Sequence, residues 1–131
     1  MLQYFLMKPR EKKRILFRLN HIEESIIEIH AFSKAISSEK EFLNSRERQL
    51  ILSKLIQDIG EAMNIISSKI RPEIVEEYPH LEWSKMISLR HYIVHEYFKP
   101  DLTTIWQTVL QEIPTLEKEI PKFKNYVLSQ E

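Results

Sequence analysis

Apolar residues recur at three- and four-residue steps along most of the chain, the spacing of a helix with one buried face. The first such stripe predicts a helix over about residues 9–37, and the second predicts a helix over about residues 45–70. Asp101 is placed to cap a last helix, which Pro114 and Pro121 should bend or interrupt. Strand-type alternation is scarce. The pattern therefore predicts an all-α antiparallel helical bundle with short connections.

Two shorter helices are predicted between these elements. Ser38 and Glu41 have the spacing of a capping box, which predicts a short helix through residues 42 and 43. Pro72 opens a second short helix over residues 73–77, and Pro79 ends it.

The chemistry-bearing side chains concentrate in the helix predicted to begin at Trp83. Residues 83–98 read WSKMISLRHYIVHEYF, and apolar positions in this segment are interleaved with Arg90, His91, Tyr92, His95 and Tyr97. Polar groups of this kind are costly to bury unpaired. They are expected either to find partners within the fold or to face a cleft.

Residues 59–62, the segment IGEA, supply two further expectations. Gly60 is the single glycine of the chain and lies inside the apolar stripe, at a cost of about 1 kcal/mol relative to alanine. A glycine there lets another backbone approach closely, most simply that of the helix beginning at Trp83. Glu61 is either a surface charge or the partner of a buried arginine, and the sequence leaves both open.

Composition sets bounds on the class of protein. A chain of 131 residues fits one domain, residues 1–131. The absence of cysteine excludes disulfides and thiol catalysis and fits a reducing cytosol. No apolar run approaches the ~20 residues needed to span a bilayer, so a soluble, cytoplasmic protein without membrane contact is expected.

Charge is balanced over the whole chain, with 19 Lys and Arg residues against 19 Asp and Glu residues. Contact with RNA must therefore come from a local patch. Cations do cluster where the first helix begins, and the solvated-surface interpretation of that cluster is favoured over a phosphate-binding patch. These cations are Lys8, Arg10, Lys12, Lys13 and Arg14.

The spacing Arg90-x4-His95-x-Tyr97 resembles the R-x4-H-x-Y motif of HepT-type toxins, a branch of the HEPN superfamily of helical ribonucleases. Landmarks around the motif extend the resemblance over about residues 50–116: the IGEA segment, residues 79–83, residues 101–102, residues 105–106 and Pro114. It implies a HEPN-like bundle that dimerises through the motif helix. It also implies metal-independent endoribonuclease activity with Arg90 and His95 as the catalytic pair and no cofactor.

This chemistry suits the residue types. Cleavage through attack of the ribose 2′-hydroxyl needs a group whose pKa lies near neutral pH to transfer protons, and histidine is such a group. It also needs a fixed cation for the charge that develops on phosphorus, which arginine provides. Arg90 and His95 lie ~140° apart around an ideal helix, so one helix does not aim both at one point. Two copies across a two-fold axis could, which favours a homodimer.

The resemblance further implies partners and a control site. It implies a cognate MNT-type nucleotidyltransferase antitoxin that adenylylates Tyr97, and an RNA substrate, with tRNA and mRNA both open. His91 could position phosphate or supply a second acid. His91 and His95 could also bind a metal, but no matched third ligand is evident, so no metal site is predicted. Tyr92 is expected to pack rather than to catalyse.

Three alternatives remain open at this point. Without the motif, His95 reads as a core histidine bonded to a carbonyl. The whole chain could be a non-catalytic HEPN subunit that binds nucleotide or RNA for a partner nucleotidyltransferase, or a purely structural helical dimer. The presence of Arg90, His95 and Tyr97 together favours the toxin over the non-catalytic subunit and over the structural dimer.

Overall fold

The computed structural model describes residues 6–95 and 101–130, and of His95 only the backbone. Throughout these ranges the regular structure is helical, with no strand, which confirms the all-α prediction. The helices are α1 Pro9–Lys34, α2 Glu39–Leu43, α3 Arg46–Ile65, α4 Ile74–Glu77, α5 Trp83–His95, α6 Leu102–Gln107 and α7 Ile113–Ser129. Two π-helical turns, Ile66–Ile70 and Thr108–Glu112, follow α3 and α6, and a 3-10 turn, Pro79–Leu81, precedes α5.

Side-chain caps start three of these helices where the sequence predicts them. The side chains of Ser38, Ser45 and Asp101 each accept a hydrogen bond from the backbone amide three residues on, at 3.2, 3.3 and 3.1 Å. The capping box of α2 is shifted by one residue, because the Glu41 carboxylate accepts from the amide of Ser37 instead of Ser38. α1 ends at Lys34, slightly before the predicted end.

Helices α1 and α7 run antiparallel, as their cross-links show. Lys12 Nζ donates to the carbonyl oxygens of Leu128 and Gln130 at 3.0 and 2.8 Å, near the end of α7. Further along α1, Glu23 accepts from Lys124 at 3.0 Å. α3 packs against both α1 and α5. One apolar core lies between these helices, and it includes Ile15, Leu19, Ile22, Leu52, Ile56, Ile59, Met63, Ile93, Ile120 and Phe123.

The two prolines of the last predicted helix behave differently. Pro114 stands in the first turn of α7, directly after the π-helical turn Thr108–Glu112, so the predicted interruption occurs there. Pro121 lies inside α7, which continues through it to Ser129. The expectation of an interruption at Pro121 is therefore not met.

A buried arginine links three helices at the end of the bundle where α4 lies. Arg71 is 2% exposed, and its Nε and Nη2 donate to the two carboxylate oxygens of Glu77 at 2.5 and 3.1 Å. Glu11 of α1 approaches Arg71 Nη1 at 3.4 Å, and the Tyr126 hydroxyl donates to Glu77 at 2.7 Å. The hydrogen bond and charge of Glu77 raise the pKa of Arg71 against the effect of burial. This network connects α1, α4 and α7.

The start of α5 is fixed by backbone and side chain together. Glu82 has φ 52° and ψ 51°, a left-handed conformation that reverses the chain immediately before the helix. The buried indole of Trp83 donates to the carbonyl of Tyr78 at 2.7 Å, and its ring meets Phe123 edge-on at 5.5 Å. Within residues 6–95 and 101–130, no helix has the length and apolarity to cross a bilayer.

Candidate active site

Helices α3 and α5 approach each other closely at Gly60. A Cβ added there would overlap the Cβ of Arg90 and lie 2.8 Å from the carbonyl oxygen of Met86. The missing side chain is therefore what allows the two helices this approach. The predicted role of Gly60 is confirmed, and the helix that it admits is the one carrying Arg90.

Arg90 is held by the residue that follows this glycine. Its Nη2 lies 2.6 Å from Glu61 Oε2, with the arginine side chain 28% exposed and the glutamate side chain 41% exposed. The alternatives for Glu61 are thus decided in favour of an arginine partner. That arginine is only partly buried.

The ion pair leaves hydrogen-bonding capacity unused. The Glu61–Arg90 contact is an ion pair, and neither Glu61 Oε2 nor Arg90 Nε, both buried, has a hydrogen-bond partner among the described residues. A buried donor without an acceptor costs free energy. Because Nε itself is buried, a phosphate oxygen could meet only the exposed part of the guanidinium, on a side chain that is 28% exposed.

The other motif residues are placed unequally. His91 is exposed on α5 next to Arg90. Tyr92 is partly buried against the core, and its hydroxyl accepts from the Asp101 amide at 2.9 Å, in line with the packing role expected for it. His95 lies in the last described turn of α5, where only its backbone is described, and Tyr97 lies outside the described residues. Whether Arg90 and His95 meet is therefore not tested.

A polar cleft of about 360 Å³ between α1 and α3 adjoins the ion pair. Its lining includes Glu61, and its other charged or titratable members are Arg18, His21, Glu24, Glu28 and Asp58. In the described part of the chain no group of three or more His, Cys, Asp or Glu residues is arranged to hold a metal ion. Sequence reasoning missed this cleft, because its two walls come from helices whose relative register no single stripe specifies.

A larger cleft of about 600 Å³ lies between α5 and the segment from Asp101 to Glu112. Leu89 and Tyr92 contribute its apolar wall, and Lys85 bonds Glu112 at 2.7 Å on its rim. That hydrogen bond raises the pKa of Lys85. Hydrogen bonds from Thr104 lower the pKa of the Asp101 carboxyl. One side of α5 thus packs against α3, and part of another side lines this cleft.

A helical bundle whose central helix carries the Arg-x4-His spacing has the architecture of the helical ribonucleases. A family model described as "Ribonuclease HepT-like" matches residues 22–123, and the chain belongs to this HepT-like ribonuclease family.

Curated relatives agree with the family. The chain is 32% identical over 116 residues to "Putative RNase MJ1216" of Methanocaldococcus jannaschii, covering 88% of this chain and 89% of the relative. It is 32% identical over 116 residues to "Putative RNase MJ0125" of the same organism, covering 88% and 93%. It is 30% identical over 106 residues to "Probable ribonuclease HepT" of Thermococcus cleftensis, covering 81% and 92%. No solved structure gives a significant match.

Proposed function

We propose that this single-domain chain is the toxin of a toxin–antitoxin system and acts as a metal-independent endoribonuclease, with Arg90 and His95 as its catalytic pair. The observation that carries the proposal is the state of Arg90. Its side chain is held against Gly60 and Glu61, yet it remains 28% exposed, so part of the guanidinium can meet a substrate phosphate. Membership of a ribonuclease family and the names of the relatives support RNA as the substrate.

The proposed reaction uses the substrate's own nucleophile. His95 takes the proton of the ribose 2′-hydroxyl, whose oxygen attacks the adjacent phosphorus. The bond from phosphorus to the 5′-oxygen breaks, and that oxygen receives a proton from a second histidine, either His91 or the His95 of a facing copy. Arg90 stabilises the charge that collects on the phosphate oxygens. The products are a 2′,3′-cyclic phosphate and a 5′-hydroxyl. His91, exposed beside Arg90, is proposed to assist by holding phosphate or supplying a second acid.

A homodimer is proposed as the active form. Arg90 and His95 lie ~140° apart around α5, so a facing copy is the simplest way to bring both kinds of side chain to one groove. The cleft beside Leu89 and Tyr92 supports this, because it leaves part of α5 uncovered by its own chain. Light scattering is expected to report twice the mass of 15.8 kDa. A monomer at micromolar concentration would count against the shared groove.

The decisive experiment measures RNA cleavage in excess EDTA. The wild type is expected to cut single-stranded RNA and leave a 2′,3′-cyclic phosphate, while Arg90→Ala and His95→Ala each lose cleavage by about a hundredfold or more, as expected for an acid–base or charge-stabilising group. Matched controls are Arg46→Ala and His80→Ala, which change an exposed arginine and an exposed histidine outside the motif. Circular dichroism checks that every variant is folded. Cleavage that requires a divalent metal would overturn the mechanism.

In the cell the proposed toxin acts in the cytoplasm on tRNA or mRNA and is restrained by a cognate MNT-type nucleotidyltransferase. That antitoxin is proposed to adenylylate Tyr97, two residues beyond His95. Expression of the chain alone should then arrest growth, and the Arg90→Ala variant should not. Growth arrest that persists in both catalytic variants would assign the toxicity to another part of the chain.

A further inference from the structure

One face of α1 carries cations and aromatic rings that the proposed active site does not use. Lys13, Arg14, Phe17, Arg18 and His21 recur at three- and four-residue steps and therefore lie on one side of the helix, and we name this surface the basic–aromatic stripe. Phe17 is 57% exposed, although it is a large apolar residue. No acidic residue falls within residues 12–22, so the stripe is a local positive surface on a chain of balanced charge.

The aromatic rings of the stripe form a platform. The ring centroids of Phe17 and His21 lie 4.8 Å apart with their planes tilted by 59°. The guanidinium carbon of Arg18 lies 5.6 Å from the centroid of Phe17. Exposed aromatic rings next to arginine are the surface on which proteins stack unpaired nucleobases, and such stacking tolerates any base.

The cations of the stripe have no acidic partner among the described residues, although one nearby lysine is engaged elsewhere. Lys12 bonds two carbonyl oxygens at the end of α7. By contrast, Lys13, Arg14 and Arg18 make no ion pair with any carboxylate in the part of the chain that the structure describes. Together with Phe17 and Ile70 they line a depression of about 270 Å³. No carboxylate within the described ranges therefore competes with a phosphate for these three charges, although the guanidinium of Arg18 also contacts the Phe17 ring.

The stripe borders the cleft that adjoins the Glu61–Arg90 ion pair. Arg18 lines both this depression and the cleft that contains Glu61, the partner of Arg90. Beyond His21 the sign of the charge reverses, because the next residues on that side of α1 are Glu24 and Glu28. Phosphates are therefore attracted to the first turns of α1 and repelled by the later ones.

We propose that the basic–aromatic stripe binds single-stranded RNA that flanks the scissile phosphate, with the cations on phosphates and one base stacked on Phe17. The identity of the ligand rests on the proposed ribonuclease function. The binding is independent of base sequence, because neither phosphate contacts nor stacking reads base edges. Its affinity falls steeply with salt.

The test measures the affinity of the full chain for a fluorescein-labelled single-stranded RNA with 2′-O-methyl riboses, which cannot be cleaved through a 2′-hydroxyl. Phe17→Ala is expected to weaken binding about fivefold or more, the effect of losing one stacked base. Arg14→Gln with Arg18→Gln is expected to lower the slope of log affinity against log salt by about 1.4, at ~0.7 per phosphate contact. Ile27→Ala, which removes a 67% exposed apolar side chain elsewhere on α1, and Lys40→Gln with Lys118→Gln are the matched controls and should bind as the wild type does.

Cleavage of unmodified RNA by the same variants separates this inference from the proposed function. A wild type that cleaves RNA while the stripe variants bind like their controls would overturn the stripe and leave the function standing. A wild type that does not cleave, but whose RNA binding depends on the stripe, would support the stripe and overturn the catalytic role of Arg90 and His95. Vesicles with phosphatidylserine provide the last arm: binding to them in place of RNA, lost in the stripe variants, would assign the stripe to a membrane surface and overturn the inference.

Discussion

The side chain of Arg90 occupies the space that a side chain on Gly60 would take. An added Cβ at Gly60 would overlap Arg90 Cβ, and it would also press on the Met86 backbone, which cannot move without moving α5. The glycine and the arginine are thus a packed pair. Arg90, the proposed catalytic cation, can take this position only because Gly60 on α3 has no side chain.

Gly60→Ala should therefore destabilise the fold even though alanine is the better helix former. The propensity gain is about 1 kcal/mol, and overpacking at a closed contact costs about 1–3 kcal/mol. We expect a net loss of up to about 2 kcal/mol in chemical denaturation and a larger proportional loss of RNA cleavage. Ser53→Ala, on the same helix, is the control. Unchanged stability together with unchanged cleavage would contradict the packing assigned to Gly60.

Glu61 is expected to act on the orientation of Arg90 more than on stability. Both side chains are partly exposed, so the pair contributes at most about 1 kcal/mol to folding. Glu61→Ala should lower cleavage roughly tenfold or more, because a small displacement of a positioned group is costly in rate. Glu61→Gln should retain more activity, since its amide oxygen can still accept from the guanidinium. Cleavage equal in both variants and the wild type would remove Glu61 from the site.

The buried network around Arg71 predicts a large effect far from the site. Glu77→Ala leaves a 2% exposed guanidinium without its main partner and should destabilise by about 3–5 kcal/mol. Tyr126→Phe removes only a hydroxyl that donates to Glu77 and should cost about 1 kcal/mol. Urea unfolding of both variants measures the difference. If Glu77→Ala lowered the free energy of unfolding no more than Tyr126→Phe does, the network would not stabilise the fold as its geometry indicates.

Asp101 gives a prediction for pH. Hydrogen bonds from the hydroxyl and amide of Thr104 lower the pKa of the Asp101 carboxyl in the folded protein. A depressed carboxyl pKa stabilises the fold above the unfolded-state pKa of about 4, and that contribution is lost as pH falls through the folded pKa. The stability advantage of the wild type over Asp101→Ala should be full at neutral pH and should shrink below about pH 4.

Thr104→Val sharpens the pH experiment. Without the hydroxyl donor, the folded-state pKa of Asp101 should rise, so its stabilising effect should disappear at a higher pH than in the wild type. Thr103→Val serves as the neighbouring control. Thermal unfolding from pH 7 to pH 3 follows all three proteins, and parallel curves for Thr104→Val and Thr103→Val would contradict the cause given for the pKa.

Tyr97 carries the prediction for control by the proposed antitoxin. An AMP on its hydroxyl would add a negative phosphodiester and a purine to the motif that contains Arg90, and both charge and bulk should exclude substrate. Intact-mass spectrometry of the chain co-expressed with the proposed nucleotidyltransferase should show the mass of one or more AMP units. Tyr97→Phe should escape modification, while Tyr92→Phe should be modified like the wild type. A neutralised toxin of unmodified mass would mean inhibition by occlusion.

Features with a local cause are the ones that the sequence predicted. The caps predicted at Ser38 and Asp101 each bond an amide three residues away, so residue type and spacing suffice. The place of Gly60 in an apolar stripe likewise indicated a close helix contact. These signals also located the helices, while the family motif assigns α5 as the helix of the proposed site.

Features that join remote segments were not predicted. Arg71 bonds Glu11, which lies sixty positions away in the sequence, and no local pattern around either residue predicts this contact. The choice between the two interpretations of Glu61 depended on the register of α3 against α5, which neither stripe defines alone. The basic–aromatic stripe was partly visible as a cluster of cations, but the exposure of Phe17 depended on which face of α1 the core takes.

Because the indole of Trp83 is anchored, the number of residues between Trp83 and Arg90 decides which side chain of α5 faces Gly60. Trp83 is fixed to the carbonyl of Tyr78, and the helix advances about 100° and 1.5 Å with each residue. One residue inserted between Trp83 and Arg90 would bring Leu89 to face Gly60, and one deleted would bring His91. Chain length should therefore be fixed within this segment, while the connection between α1 and α2 can lengthen at little cost to the fold.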